Sequence, residues 1–254
     1  MQLTREQFEL IAPLLPRQRG NVLLDSFEVL NAILYVAANG CKWRALPTHY
    51  GCWHTIYTRM SRWARAGVLS TVFEKLQRER LMHVRIEAVS LDSTIIKVHP
   101  DGTGAQKKNG PQAIGKSRGG WSTKLHLVAA GACDVITWSL TPGQHGDAPE
   151  GRRLIEAMGG PQEAGEVALL MDSAYEGDAT RELARQLGFV PVVPPNPKRR
   201  EPWELHKALY RRRNEVERMF RRLKAWRRVF TRYDKLDVMF AAFITVALIA
   251  EVLR

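Results

Sequence analysis

Two aspartates occupy positions in hydrophobic segments where acidic residues are uncommon. Asp92 lies within the apolar segment 88–98, and Asp172 directly follows the apolar segment 167–171. Since acidic residues are depleted in β-strands, each aspartate either satisfies a turn or takes part in chemistry. Carboxylates are the ligands that hard divalent cations such as Mg²⁺ prefer. The pair alone leaves both interpretations open.

A third acidic position lies in a predicted long helix nearer the C terminus. The spacing i, i+3, i+7 and i+14 places four side chains within about 60° of arc on that helix: Tyr210, Arg213, Glu217 and Lys224. Glu217 would lie between the apolar face and solvent, where it is either salt-bridged or held as a metal ligand. Glu215 lies on the other flank of the apolar face, and helix geometry does not exclude it.

Four helices are predicted before residue 84. Thr4 can cap the first, Gly40 ends the second, the third runs from Trp53 to Ala66, and the fourth covers residues 69–82. Short helices with tight connections are compatible with a helix-turn-helix module that binds DNA, and equally with a plain helical bundle.

After residue 84 the pattern alternates between strands and helices. Strands are predicted at 88–98, 124–128, 135–140, 167–171 and 189–193, and helices at 147–158, 177–186, 204–228 and 238–250. Asp147 is predicted to cap its helix, and His145 to be a loop residue. The order predicts an α/β RNase H-like mixed-sheet domain after a small all-α, helix-turn-helix-like N-terminal domain. We therefore divide the chain into residues 1–83 and 84–254.

The charge pattern predicts a polyanionic partner. The formal net charge is +12, and residues 198–232 contain 14 Lys or Arg against 4 Glu. Such a balance favours nucleic acid first and an acidic membrane surface second, although a charge run can also be a solvated face. The apolar segment 238–250 is too short to cross a bilayer, and no signal peptide is recognised, so we expect a cytoplasmic protein.

Two further sets of basic residues are candidates for DNA contact. The first lies in a Gly-rich segment without intervening acidic residues and comprises Lys107, Lys108, Lys116, Arg118 and Lys124. We predict a DNA-contacting loop there in preference to a solvated one. The second set is Arg59 and Arg62, on the helix that begins at Trp53.

The motifs resemble those of bacterial insertion-sequence transposases of the IS-five group, within the DDE superfamily. That family's glutamate motif, Tyr-x2-Arg-x3-Glu-x6-Lys, matches the four residues above and selects Glu217 over Glu215. The aspartate motifs resemble residues 91–94 and 171–175. Segments 40–47, 115–124 and 141–147 also resemble family motifs, so the likeness covers nearly the whole chain.

The resemblance implies a DNA transposase that cleaves and transfers strands with two Mg²⁺ ions, or Mn²⁺ in their place. Asp92 would bridge both ions, while Asp172 and Glu217 would each hold one. Tyr210, Arg213 and Lys224 would contact DNA. The N-terminal helices would bind terminal inverted repeats of double-stranded DNA, in a homodimer or larger assembly on the bacterial nucleoid. A catalytically inactive DNA-binding regulator and a metal-dependent nuclease of the same fold are the alternatives.

Overall fold

The computed structural model describes residues 2–18, 23–104, 110–132, 134–161 and 166–254 of the chain. Its helices are α1 Arg5–Ile11, α2 Ser26–Asn39, α3 Trp53–Arg65, α4 Val68–Leu81, α5 Asp147–Met158, α6 Asp178–Gln186, α7 Lys207–Tyr210, α8 Asn214–Ala225, α9 Arg227–Phe230 and α10 Asp237–Val252. Its strands are β1 Ala88–Val98, β2 Gly115–Ser117, β3 Gly120–Ala129, β4 Val135–Pro142, β5 Val167–Met171, β6 Phe189–Val192 and β7 Thr231–Arg232.

These elements form two compact units. Unit 1 consists of Met1–Met82, Lys97–Gln112 and Arg222–Arg254, and unit 2 of His83–Ile96 and Ala113–Arg221. The predicted division between residues 83 and 84 lies next to the first of these breaks. However, the C-terminal segment belongs to the helical unit. We attribute this to α10, which is apolar on nearly all sides and therefore has to be enclosed by other helices.

Unit 1 is a bundle built around α10. This helix contacts α2, α3, α4 and α9, and most of its side chains are buried. The predicted N-terminal helices are confirmed: Thr4 and Gln7 form a capping box at the start of α1. Gly40 ends α2 in the left-handed region, with φ of 68°, where glycine is favoured. Among the described residues, no helix is both long and apolar enough to span a bilayer.

Unit 2 is a mixed sheet with helices. The strand order is β2–β3–β1–β5–β6, and β4 pairs with β3 in antiparallel orientation. β1 pairs with β5, and β5 with β6, in parallel. The long strands thus follow the order β4–β3–β1–β5–β6, which confirms the predicted RNase H-like mixed sheet.

The alternation of side chains along β1 and β5 gives the sheet two different faces. Val89, Leu91, Leu169 and Met171 belong to one core cluster, together with residues of α5. Ala88, Ala168 and Leu170 belong to another, against which Leu205, Leu209 and Tyr210 pack. By this alternation, Asp92 projects to the face that carries Tyr210, and Ser93 to the face that carries α5.

The predicted continuous helix over 204–228 was wrong. The structure has α7, a 3-10 turn over Arg211–Arg213, α8 and α9 in its place. Trp226 is extended between α8 and α9, and its indole N–H donates to Glu251 Oε1 at 3.1 Å. The strands β2 and β7 were not predicted, because each has three residues or fewer and shows little alternation.

Candidate active site

Parallel pairing brings the two predicted aspartates to one edge of the sheet in unit 2. Leu91 on β1 is opposite Met171 on β5, so the next residues in register are Asp92 and Asp172. Neighbouring strands lie about 4.8 Å apart, which places the two carboxylates side by side. Asp92 Oδ1 accepts from the Ser93 amide at 2.8 Å, and Asp172 Oδ1 accepts from the Ala174 amide at 2.9 Å.

Arg213 connects Asp92 with Glu217. Its guanidinium Nη1 lies 2.6 Å from Asp92 Oδ2, and Nη2 donates to Glu217 Oε1. Burial by itself would lower the pKa of Arg213. The carboxylates of Asp92, Glu217 and Asp172 outweigh that effect, so its pKa is raised. The four side chains therefore form one charged cluster.

The Asp92 carboxyl is more enclosed than that of Glu217. Its side chain is 14% exposed, whereas that of Glu217 is 41% exposed. Burial raises the pKa of Asp92, and the adjacent Asp172 charge adds to this; the Ser93 amide and Arg213 act in the opposite direction. A buried carboxyl beside a second carboxylate favours a bound cation, since positive charge relieves both effects.

Glu215, the competing acidic residue, has different neighbours. Its Oε1 lies 3.9 Å from Arg212 Nε, and Arg212 in turn donates to Glu87 at 3.2 Å. These groups form a second ion-pair group that does not include Asp92. The geometry supports Glu217 as the third acidic member of the candidate site.

Lys124 and Asp147 are joined to this site through Ser93. The Ser93 hydroxyl donates to Asp147 Oδ1 at 2.8 Å, and Lys124 Nζ donates to the same oxygen at 2.9 Å and to His145 O at 2.7 Å. The prediction of Asp147 as a helix cap was wrong, because the N-cap residue of α5 is Gly146 and Asp147 is the first helical residue. Its carboxylate bonds to β1 and β3.

Tyr175, which the sequence did not single out, lies among three of these carboxylates. It closes the 3-10 turn that Asp172 begins, and it is almost completely buried. Burial raises the pKa of its hydroxyl, and the negative charges of Asp147, Asp92 and Asp172 raise it further. The spacing of acidic and aromatic residues in the chain gives no signal for this convergence, which depends on the sheet register.

The basic residues predicted to contact DNA divide into paired and exposed groups. The ammonium of Lys124 and the guanidinium of Arg213 are bonded inside the site, as described. Arg59 is partly buried and donates to Leu24 O at 3.0 Å, while Arg62 is exposed. Lys116 and Arg118 are exposed at the β2–β3 hairpin.

Of the three remaining predicted contacts, the structure describes two, Tyr210 and Lys224. Tyr210 is half-buried, with the Arg213 guanidinium 5.8 Å from its ring centre. Lys224 lies in unit 1, and burial lowers the pKa of its ammonium. Lys107, like Lys108, lies outside the described residues.

The donor set fits a hard divalent cation by its chemistry. Asp92, Asp172 and Glu217 supply carboxylate oxygens, and the Arg213 guanidinium already provides positive charge between two of them. Across the described ranges, no group of three or more His, Cys, Asp or Glu side chains is arranged to hold a metal ion. The three carboxylates therefore match such a cation in donor type, with Arg213 bonded to both Asp92 and Glu217.

Comparison with protein families identifies the chain. The model of the transposase DDE domain matches residues 85–251, which include all three acidic residues. The chain belongs to the transposase DDE domain family. The model of putative transposases of the IS4/5 family also matches, over residues 3–73. Both matches confirm the resemblance seen in the sequence motifs. This is a family of enzymes that cleave and transfer DNA with divalent metal ions.

Individual relatives agree with this assignment. The chain is 31% identical over 127 residues to a Brucella ovis protein named "Putative transposase for insertion sequence element IS6501", covering 50% of this chain and 94% of that protein. It is 33% identical over 95 residues to the uncharacterized protein y4sN of Sinorhizobium fredii, covering 37% and 68%.

Solved transposase structures show a weaker likeness. A piggyBac transposase synaptic complex with hairpin DNA aligns with a TM-score of 0.41 and 9% identity, covering 75% of this chain and 47% of that chain. The Mos1 strand transfer complex aligns with a TM-score of 0.29 and 15% identity, covering 69% and 60%. The chain thus spans about half of the first structure's length, and the family assignment depends on the family models.

Proposed function

We propose that the protein cleaves DNA at the ends of an insertion sequence and joins the freed 3′-hydroxyl to target DNA, using Asp92, Asp172 and Glu217. The observation that carries this proposal is the convergence of Asp92, within β1, with Asp172, directly after β5, and with Glu217, which shares Arg213 with Asp92. These carboxylates lie within the segment matched by the DDE domain family.

The three carboxylates would hold two Mg²⁺ ions, or Mn²⁺ in their place. Asp92 would serve both ions, Asp172 one and Glu217 the other. When bound, the ions stabilise the charge that develops on the attacking and leaving oxygens of a phosphodiester. The position of Asp92 supports its central role, because its side chain is more enclosed than that of Glu217.

The carboxylates of the candidate site repel the negative charge of a phosphodiester, so nearby cations have to offset this repulsion. Arg213 balances two carboxylates there, and Lys124 balances Asp147, which reduces the repulsion of an incoming phosphate. Water would attack the phosphorus first and break its bond to the 3′-oxygen, which leaves as the element's 3′-hydroxyl while the 5′-phosphate stays on the flanking DNA. In the second step this hydroxyl would attack a phosphodiester of target DNA and displace a 3′-hydroxyl of the target strand.

The DNA backbone next to the site would lie along the outer surface of α8 and the turn before it. Arg211, Arg218 and Arg221 are exposed, and no ion pair connects any of them to another residue in the described part of unit 2. Because the predicted contacts Arg213 and Lys124 are already bonded, these three free guanidiniums are better placed for phosphates. Lys116 and Arg118 on the β2–β3 hairpin would add a second contact.

The N-terminal helices would bind the terminal inverted repeats through α3, on which Arg62 is exposed and Arg59 is partly buried. Residues 1–83 would form the DNA-binding domain and residues 84–254 the catalytic one. Two DNA ends have to be held together for transfer, so a homodimer or larger assembly would form on double-stranded DNA.

Substitution of the acidic residues tests the proposal. Asp92→Asn and Glu217→Gln should abolish metal-dependent cleavage of end DNA while leaving DNA affinity within about threefold, because each removes a metal ligand without removing a phosphate contact. Glu215→Gln is the matched control on the same helix and should retain cleavage. Full activity of Asp92→Asn, or loss of activity in Glu215→Gln alone, would refute the assignment.

A further inference from the structure

Asp147 has three polar neighbours, and the proposed function uses only its charge balance with Lys124. Its Oδ1 accepts from Ser93 and Lys124, and the buried His126 Nδ1 lies 3.9 Å away. Its side chain is 22% exposed, and that of Lys124 is 13% exposed. Burial lowers the pKa of His126, although the charges of Asp147 and Glu150 act in the opposite direction. The Lys124 ammonium forms the ion pair with Asp147, at 2.9 Å.

Ser93 links Asp147 to Asp92 across the sheet. Its hydroxyl donates to Asp147 Oδ1 on the α5 face, and its amide donates to Asp92 Oδ1, whose side chain lies on the opposite face. A single residue is thus bonded on both sides, so a change in the position of Ser93 changes the hydrogen bond that orients Asp92.

Residues 143–146, which precede α5, pack closely against the β2–β3 hairpin, and Lys124 lies on β3. A Cβ atom on Gly115 would lie 1.6 Å from Gln144 Oε1, and one on Gly143 would lie 2.0 Å from Ser122 Oγ. The Lys124 ammonium also bonds the carbonyl of His145. The two segments that resemble family motifs, 115–124 and 141–147, therefore pack against each other, and the position of Asp147 is determined by both.

We propose that Asp147 is a positioning residue for the metal site, which acts on Asp92 through the Ser93 hydroxyl and is itself held by Lys124. This inference depends on the proposed function, because it assigns Asp147 to the site where Asp92 would hold the ions. Residues that orient metal ligands typically change metal affinity or activity by about 10–100-fold when they are replaced.

The test measures metal binding separately from activity. Mn²⁺ is titrated by calorimetry into the full-length, DNA-free protein, and the Mn²⁺ concentration for half-maximal cleavage of end DNA is measured in parallel. Asp147→Asn and Ser93→Ala should each lower the Mn²⁺ affinity, and raise the Mn²⁺ concentration for half-maximal cleavage, by about 10–100-fold. The double variant should show no larger change than either single variant. Ser93→Thr keeps the hydroxyl and should behave as the wild type.

Asp178→Asn is the matched control. Asp178 also follows a glycine N-cap and begins a helix, α6, but its partners are Arg199 and Arg181. We expect its metal affinity to be unchanged. The thermal midpoint and the DNA affinity of each metal-free variant show whether that variant has lost its fold. If Asp147→Asn is unstable, Ser93→Ala tests the same hydrogen bond.

The outcomes separate this inference from the proposed function. If Asp147→Asn and Ser93→Ala require the same Mn²⁺ concentration as the wild type while Asp92→Asn is inactive, the inference is overturned and the proposed function stands. Strictly additive effects of the two variants would also overturn it. If Asp92→Asn remains fully active, both fail.

Discussion

The three acidic residues are held by the fold in different ways. Asp92 is enclosed within β1, and Asp172 is fixed by its bond to the Ala174 amide. Glu217 is more exposed than Asp92 and is held by Arg213, which it shares with Asp92. The two aspartates are therefore positioned by the backbone of the sheet, whereas Glu217 is positioned by another side chain.

Gly151 is the residue on which the close packing of α5 against Leu91 and Tyr175 depends. A Cβ there would lie 2.4 Å from the Tyr175 ring and 3.0 Å from Leu91 Cδ2. Leu91 directly precedes Asp92, and Tyr175 ends the 3-10 turn that Asp172 begins. Alanine normally favours a helix by up to about 1 kcal/mol over glycine, but overpacking costs about 1–3 kcal/mol. Gly151→Ala should therefore lower the free energy of unfolding by about 1 kcal/mol and reduce cleavage.

Urea denaturation measures this change. Gly119→Ala is the matched control, because a Cβ there would have one contact at 4.0 Å, and its free energy of unfolding should change by less than about 0.5 kcal/mol. A Gly151→Ala protein as stable as the wild type would contradict the close packing of α5 on Tyr175.

The helix α8 combines a buried face, the candidate site residue Glu217 and a basic outer surface. Val216, Met219 and Phe220 are buried. Arg218 and Arg221 are exposed three residues apart, one turn beyond Asn214, so they lie on one side of the helix. Arg211, in the preceding 3-10 turn, is also exposed. This surface lies beside Glu217 in the sequence.

Replacing Arg218 and Arg221 with glutamine tests this surface. Each phosphate contact contributes about 0.9 to the slope of log affinity against log salt concentration for duplex DNA. The double variant should therefore show a slope that is shallower by about 2, measured by fluorescence anisotropy from 50 to 200 mM salt.

The control is the pair Arg153→Gln and Arg185→Gln, which removes the same charge. Both arginines are exposed, and each already pairs with a glutamate on its own helix, Glu150 or Glu182. We expect their salt slope to equal that of the wild type. An equal change in both double variants would show that total charge, and not this surface of α8, determines binding.

Regular elements with a clear hydrophobic pattern were predicted well from the sequence. The bounds of β1, α5 and β5 agree with the structure, because continuous apolar runs and a proline near the helix start define them. The interruption of the predicted 204–228 helix at Trp226 gave no sequence signal, since the partner of this indole, Glu251, lies 25 residues further along the chain.

The ion-pair partners of the charged residues in the site could not be predicted from the sequence either. Arg213 and Lys124 were predicted to contact DNA, but whether a cation is free or paired depends on which strands are adjacent. The parallel register of β1 with β5 brings Asp92 next to Asp172, and the β3 position of Lys124 brings it to Asp147. The motif register did identify Glu217, and the geometry supports that choice; its role stays a prediction.

At the scale of the whole molecule, the chain combines a helical unit, a mixed-sheet unit and a net charge of +12. A large positive charge raises the rate and affinity of binding to DNA, and makes both dependent on salt. It does not distinguish an enzyme that only cuts DNA from one that also joins it, since both chemistries use the same carboxylates and ions.

Strand transfer by the 254-residue chain tests the proposed function most directly. A labelled, pre-cleaved element end with a free 3′-hydroxyl is incubated with target DNA and Mg²⁺, and covalently joined products are resolved on a denaturing gel. We expect joined products with the wild type and none with Asp92→Asn. Cleavage of uncut ends without any joining would contradict this expectation and indicate a nuclease. Equal joining by both proteins would refute the active site.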